Sequence, residues 1–365
     1  MQSEWHLFIR SAGYSWRWQP VLGAGGESSW LEVAMIRPGA MRRLLLPCIA
    51  ALALCSNLVV FLHARAFLRF GGPSVRTAAP EQIGALESAQ VLLTGVSLPR
   101  PVNTRTPTQL GLGFETAVVR SADWTALEAW WIPGRGRTRG RALLFHGYGA
   151  SKDQLLEVAA WFESQGMEVG LVDFRGAGGS DGDRTTLGWA EARDVEAMVD
   201  AARARGPEPV IVYGFSMGAA AVAGAMGRLG VRPDGAIMEA SYPTLRGTVR
   251  RRFELMGLPA SPVSEALVFW GGVYAGFNGF ALRPVDHVRA TSVPVLLLHG
   301  EQDRRAPPED GQALAAAAGA GTELVVLPRT GHQPGIGTRY LEWTQAVTRL
   351  VGRATGGRPG RDRAM

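Results

Sequence analysis

Cysteine is nearly missing from this chain, with only Cys48 and Cys55 among 365 residues. They stand seven positions apart in one apolar segment, about 10 Å apart on a helix rising 1.5 Å per residue, too far to bridge. A disulfide framework is therefore excluded, and the rest of the chain neither needs an oxidising compartment nor is barred from one. No cluster of residues has metal-ligand spacing, so neither a metal nor a cofactor is expected. Zinc-finger spacing, a basic helix stripe and aromatic–basic interleaving are also absent, and nucleic acid is not an expected partner. Lysine is scarce too, because the basic residues are almost all arginine. They give a net charge of +6 and a pI near 9.9. The arginines are scattered and their clusters, such as Arg250-Arg251-Arg252, are short, which reads as a solvated surface. With 46% hydrophobic and 19% charged residues, the chain can build one large globular domain and an appendage.

The appendage comes first. Residues 1–40 hold Trp5, Trp16, Trp18 and Trp30 among scattered glycines with no sustained period, and read as an irregular extension. Met41-Arg42-Arg43 then leads into residues 44–62, a run without a charge that is long enough to span a bilayer as a helix. Pro47 is expected in its first turn, where proline is tolerated. Because this arrangement resembles a complete N-terminal membrane signal, Met41 is expected to be the start, with 1–40 translated from upstream. The run exceeds a signal-peptide core, and the small-residue site after it is poor, so 41–70 reads as a single-pass anchor. The expected orientation has a cytoplasmic N-terminus and the bulk of the chain on the non-cytoplasmic side.

Residues 71–110 are a Pro/Gly/Thr-rich connector with one short helical stretch around 83–93. Strands and helices then alternate. An antiparallel pair is predicted over 117–120 and 127–132, with strands at 142–145, 168–173, 210–213, 235–238, 295–299 and 324–327. Helices are predicted over 152–162 and 189–203, from beyond residue 218 to about 229, between the last two strands, and over 340–351. Such alternation implies an α/β domain over 111–352, a mainly parallel sheet covered by helices on both faces. Residues 353–365 read as a disordered tail. One connection, 241–290, is too long for a strand-to-strand loop and is expected to form a cap. Its Phe253, Leu255, Leu267, Phe269, Trp270, Tyr274 and Phe277 either line an acyl pocket or glue the cap to the sheet.

Gly214-Phe215-Ser216-Met217-Gly218 follows the apolar run at 210–213 and precedes a helix-forming stretch. A strand turning sharply into a helix through Gly-x-Ser-x-Gly is a nucleophile elbow, which exposes the serine hydroxyl for acyl transfer. Glycine makes up 47 of the residues, so the pattern also arises by chance. It recurs at Gly178-Gly179-Ser180-Asp181-Gly182, where neither strand nor helix adjoins, and Ser180 reads as loop structure. A serine hydroxyl needs a base, and that base needs a carboxylate to orient it. His332, just past the strand at 324–327, supplies the first. Asp303, just past 295–299, supplies the second in preference to Glu301, which lies nearer the strand end. The order Ser, Asp, His is the one this architecture requires. His299 is expected to pack at its strand terminus, and His146 has no partner at catalytic spacing. An oxyanion hole would take one backbone N–H from Met217 and another from Tyr148, in the loop after the strand at 142–145.

These segments, with His146-Gly147-Tyr148-Gly149, Asp173-Phe174-Arg175-Gly176-Ala177-Gly178-Gly179-Ser180, His299-Gly300-Glu301-Gln302-Asp303 and Gly331-His332, resemble the α/β-hydrolase superfamily over about 113–351. The nearest branch by resemblance is the serine aminopeptidase and monoacylglycerol lipase-like group, including bacterial membrane-anchored members. The resemblance implies a structural role for the Asp173–Ser180 loop and a serine hydrolase but does not fix its substrate; the anchor and the apolar cap favour a small-molecule or lipid ester. Serine at the elbow, rather than aspartate, argues against dehalogenase or epoxide hydrolase chemistry. Two alternatives stand beside the esterase. One is a peptidase or amidase on the same three residues, for which Glu239 and Glu254 are the only hints of an amine-binding site. The other is a non-catalytic, membrane-tethered interaction module.

Overall fold

The computed structural model describes residues 21–22, 28–29, 38–71, 76–78, 82, 84, 86–87, 90–91, 95–136 and 138–356, without the side chains of 21–22, 28–29 and 38–44. Most of the expected irregular extension over 1–40, the short helix around 83–93 and the tail beyond Gly356 lie outside the described residues. The chain divides into two units, Met1–Val59 and Val60–Met365.

The first unit contains a two-residue antiparallel pairing, Val21–Leu22 with Ser28–Ser29, and most of helix α1, Pro38–Leu68. The helix starts earlier than the apolar run alone suggests. Pro47 therefore sits inside it rather than in its first turn, and without an N–H it leaves one helical hydrogen bond unmade. Leu45–Leu68 is apolar over 24 residues, about 36 Å of helix against a hydrocarbon layer of about 30 Å. Leu46, Leu52 and Leu54 are each about 70% exposed. Two of its polar side chains bond back along the helix: Ser56 Oγ donates to the Leu52 carbonyl at 2.8 Å and Asn57 Nδ2 to the Ala53 carbonyl at 2.9 Å.

The second unit is built on eight strands: β1 (Glu115–Arg120), β2 (Ala126–Ile132), β3 (Arg141–Phe145), β4 (Glu168–Val172), β5 (Val210–Phe215), β6 (Gly235–Glu239), β7 (Val295–Gly300) and β8 (Glu323–Leu327). Their order is β8-β7-β6-β5-β3-β4-β2-β1. β2 runs antiparallel to both β1 and β4, and all other pairings are parallel. The parallel strands β3 to β7 are buried along their whole length, as near-continuous apolar runs covered on both faces must be.

One face is covered by α2 (Leu156–Ser164) and, as the last helix, α9 (Tyr340–Gly356). The other carries α3 (Glu191–Ala204), α4 (Met217–Arg228), α7 (Pro284–Arg289) and α8 (Pro308–Ala317). α4 is almost wholly alanine, glycine and valine, and its small side chains let it press against the sheet behind Ser216. α9 runs past the predicted end at 351 because Ala354 still finds a place in the core.

Between β6 and β7 the long connection forms α5 (Leu245–Leu255), α6 (Val263–Ala275) and then α7. Phe253, Ala260 and Leu267 cluster with Ala64, while Leu245, Val268 and Leu282 form a second small core. Phe277 stacks on Trp189 at 5.2 Å. Most of these apolar side chains thus pack the connection itself, and Phe269 faces outward, 52% exposed.

Candidate active site

β5, in the middle of the sheet, ends at Phe215, and α4 begins at Met217. Ser216, alone between them, has φ 52° and ψ −110°, a region disfavoured for any residue with a Cβ. The turn is tight enough to need both flanking glycines. A Cβ on Gly214 would lie 2.5 Å from the Ala219 nitrogen, and one on Gly218 would lie 2.8 Å from the His146 carbonyl oxygen. The Ser216 N–H is held by the Glu239 carbonyl at 2.8 Å, so strand β6 fixes the strained residue.

Ser216, Asp303 and His332 come together. His332 Nε2 is 3.0 Å from Ser216 Oγ, and His332 Nδ1 is 2.7 Å from Asp303 Oδ2. The other Asp303 oxygen accepts the N–H groups of Arg305 and Ala306 at 2.8 and 2.9 Å. Burial pushes the Asp303 carboxyl upward, but the His332 hydrogen bond and charge, with these two N–H donors, outweigh it and hold the group below its ordinary value. An ionised Asp303 requires a proton on Nδ1, which leaves Nε2 free to accept from the serine. Glu301, the rival acid, instead accepts the Arg329 N–H at 2.9 Å and makes no contact with the histidine. His299 is buried at the end of β7, its Nδ1 3.2 Å from the Ala306 carbonyl.

Met217 N–H stands at the amino end of α4, and Tyr148 N–H lies in the loop after β3. Neither donates to a protein acceptor among the described residues. That loop is held from below by His146, a role that sequence spacing does not reveal. The Phe174 N–H donates to His146 Nε2 at 3.0 Å, so the ring proton sits on Nδ1, which faces the Gly147 carbonyl at 2.8 Å. Burial keeps this histidine neutral by lowering its pKa. Beneath it lies Lys152, the one lysine of the sequence. Its fully buried Nζ bridges Asp173 at 2.5 Å and Glu128 at 2.6 Å, with the Trp130 ring centroid at 4.2 Å. Asp173 also accepts from Lys152 N–H, Asn103 Nδ2 and Gly179 N–H. A single ammonium in an arginine-rich chain was a visible signal, because only a compact point charge fits such a site.

Glu239 takes a role other than the amine-binding one that the sequence hinted at. Its carboxylate is buried and accepts from Tyr213 Oη at 2.6 Å, Trp343 Nε1 at 2.9 Å and Gly335 N–H at 2.5 Å. It ties β5, α9 and the loop after His332 to the strand that holds Ser216. Burial raises its pKa, partly offset by these three donors. Glu239 therefore faces the interior, and Glu254 pairs with Arg250 at 2.9 Å on the surface. Neither presents a free carboxylate to a substrate amine. A polar cavity of about 740 Å³ opens beside Asp303, lined in part by Arg251, Glu254, Gln302 and Arg304, but Ser216 and His332 do not border it.

Residues 136–265 match the family model of the serine aminopeptidase group, family S33. Among curated proteins, the uncharacterized protein Rv2307c of Mycobacterium tuberculosis is 27% identical over 217 residues, covering 59% of this chain and 71% of its own. The lysophosphatidylserine lipase ABHD12 of Macaca fascicularis is 24% identical over 268 residues, 64% of either chain. Among solved structures, the Pyrococcus furiosus esterase Pf2001 superposes with a TM-score of 0.60 at 23% identity, covering 70% of this chain and 96% of its own. With the eight-stranded sheet and its helices, these matches show that the chain has the α/β-hydrolase fold.

Proposed function

We propose that this protein is a membrane-anchored serine hydrolase that cleaves carboxylic esters through an acyl-enzyme. The observation that carries the reading is the hydrogen-bonded series Asp303–His332–Ser216, with spacings of 2.7 and 3.0 Å, ending on a strained serine at a helix amino terminus. Ser216 Oγ attacks the ester carbonyl carbon while His332 Nε2 takes its proton. The oxyanion that forms is met by the N–H groups of Met217 and Tyr148, each worth about 3–4 kcal/mol of transition-state stabilisation in sites of this kind. Collapse breaks the bond to the alcohol, which leaves with the proton from His332. Water then attacks the acyl group, His332 accepts the water proton, and the acid departs as the proton returns to Ser216. Asp303 holds the tautomer throughout and stabilises the imidazolium.

Esters are favoured over peptides because the two carboxylates suited to an amine, Glu239 and Glu254, are engaged elsewhere. The names of the similar esterase and lipase agree with this preference. Leu45–Leu68 would serve as the anchor, with the catalytic domain on the non-cytoplasmic side. A fluorophosphonate probe should label the folded protein and fail on Ser216→Ala, and absence of labelling in the parent would overturn the reading. Turnover of p-nitrophenyl esters well above that of aminoacyl amides should follow, and the reverse order would favour the amidase.

A further inference from the structure

At its carboxyl end α1 changes character. Leu62 is 48% exposed, and exposed Arg65 and Arg69 follow it one and two turns later, opposite the buried Ala64 and Leu68. Beside this turn runs α6, whose residues 266–275 carry no charge. Phe61 meets the rings of Trp270 and Tyr274 edge-on, at 5.7 and 6.2 Å. Phe269 and Val273, one helical turn apart, are 52% and 54% exposed. At the rim Arg184 lies over the Tyr274 ring at 5.5 Å, and Arg69 pairs with Asp183 at 2.8 Å. Solvent-facing Leu, Phe and Val bordered by Trp, Tyr and arginine is the composition of a bilayer boundary. There amphipathic rings sit at headgroup depth and guanidiniums reach the phosphates.

We propose that the outward face of α6, together with Leu62, is seated in the boundary layer of a lipid bilayer, so that the cap lies against the membrane. This rests on the anchoring reading above. A bilayer is favoured over a second copy of the chain because the face adjoins an apolar helix long enough to span one, and because its rim is cationic. The consequence reaches the reaction centre. Tyr148 Oη donates to the Phe67 carbonyl at 2.6 Å, and its ring lies 6.3 Å from Phe70. The Arg76 guanidinium donates to the Gly149 carbonyl at 2.6 Å. The loop carrying one proposed oxyanion donor is thus bonded to the turn of α1 just past the boundary, beside the point where a bilayer-borne ester would leave the lipid.

The test uses the full chain with Cys48→Ala and Cys55→Ala, and a single cysteine introduced as Phe269→Cys, Val273→Cys or, as control, Val118→Cys on β1. Each variant carries an environment-sensitive thiol-linked fluorophore and is reconstituted into phosphatidylcholine vesicles with and without a spin-labelled acyl chain. Flotation with the vesicles reads the anchor, and quenching reads the face. The expected result is flotation of all three, with a blue shift and quenching at 269 and 273 and neither at 118. Flotation with no quenching at 269 and 273 would overturn the seated face and leave the anchor standing. Failure to float would overturn both. Efficient cross-linking of Phe269→Cys to the same position of another chain in the vesicles, without quenching, would assign the face to a second copy and also overturn the proposal.

Discussion

Ser180 and Ser216 each stand between two glycines, but their hydroxyls meet different neighbours. Ser180 is 3% exposed. Its Oγ donates to the Asp173 carbonyl at 2.6 Å and accepts the Glu128 N–H at 2.9 Å, so it works as a cross-brace within its loop. Ser216 is half-buried, held in a strained turn, and its Oγ lies 3.0 Å from an imidazole nitrogen. A hydroxyl saturated by backbone groups has no base to activate it. One held against a histidine, itself oriented by an ionised carboxylate, has the arrangement that acyl transfer needs. On the proposed reading, reactivity belongs to the neighbourhood, and the motif is only a condition for it.

The comparison can be broken most sharply at Ser216. Ser216→Ala should lower kcat for a p-nitrophenyl ester by about 10⁶-fold, the scale seen when a serine nucleophile is removed, while the melting temperature stays near the parent's. Residual turnover at the parental rate would shift the chemistry away from this serine. Asp303→Asn should cost about 10⁴-fold in kcat by favouring the wrong tautomer. Glu301→Gln should leave kcat unchanged, and equal losses in the two variants would defeat the assignment of the acid.

The Ser180 side of the comparison is about stability. Lys152→Met leaves Asp173 buried without its cation and should destabilise the fold by about 3–5 kcal/mol in urea melts. Parental stability would mean that the loop does not depend on the ion pair. Ser180→Ala should cost about 1–3 kcal/mol through the unpaired Glu128 N–H, with kcat retained. A large loss of kcat without unfolding would make Ser180 more than a brace.

The smallest effect is spread over pH. His146 and His299 have pKa values lowered from 6.5, chiefly by burial. The unfolded chain takes up protons that the folded protein refuses. Their contribution is therefore full above about 6.5 and declines as the pH falls, by at most about 1.4 kcal/mol per unit for each such group. Asp194 and Asp310, raised to about 6 chiefly by burial, oppose it by adding stability as the pH falls through that value. Asp303 and Asp173, with lowered pKa values, add their own loss only below the ordinary carboxyl value of 3.8. An imidazole resonance of His146 or His299 that titrates at or above 6.5 in NMR spectra of the folded protein would contradict the buried neutral histidines.

Much of the frame was legible in the chain. The predicted strands agree with β1 to β8 within one or two residues, because buried parallel strands are short apolar runs bounded by polar and glycine punctuation. The start of the helix at 152 was less so. Lys152–Leu155 is a 3-10 turn before α2, drawn tight where Lys152 turns its N–H and Nζ toward Asp173. The apolar residues of the 241–290 connection were ambiguous because lining an acyl pocket and gluing a cap to the sheet call for the same residue types.

By itself the sequence determined what local geometry demands. It set the alternation of strand and helix, the glycines without which the turn at Ser216 could not close, the order of serine, acid and histidine, and one charge-free run in α1. Only the tertiary structure set the contacts themselves, with Ser216 Oγ 3.0 Å from a histidine 116 positions away and Asp303 2.7 Å from the same ring. It also decided that Glu239, His146 and the lone lysine brace the site from within. These outcomes depend on contacts between distant parts of the chain. A pattern of residue types records what each segment can do, and packing alone selects which segments become neighbours.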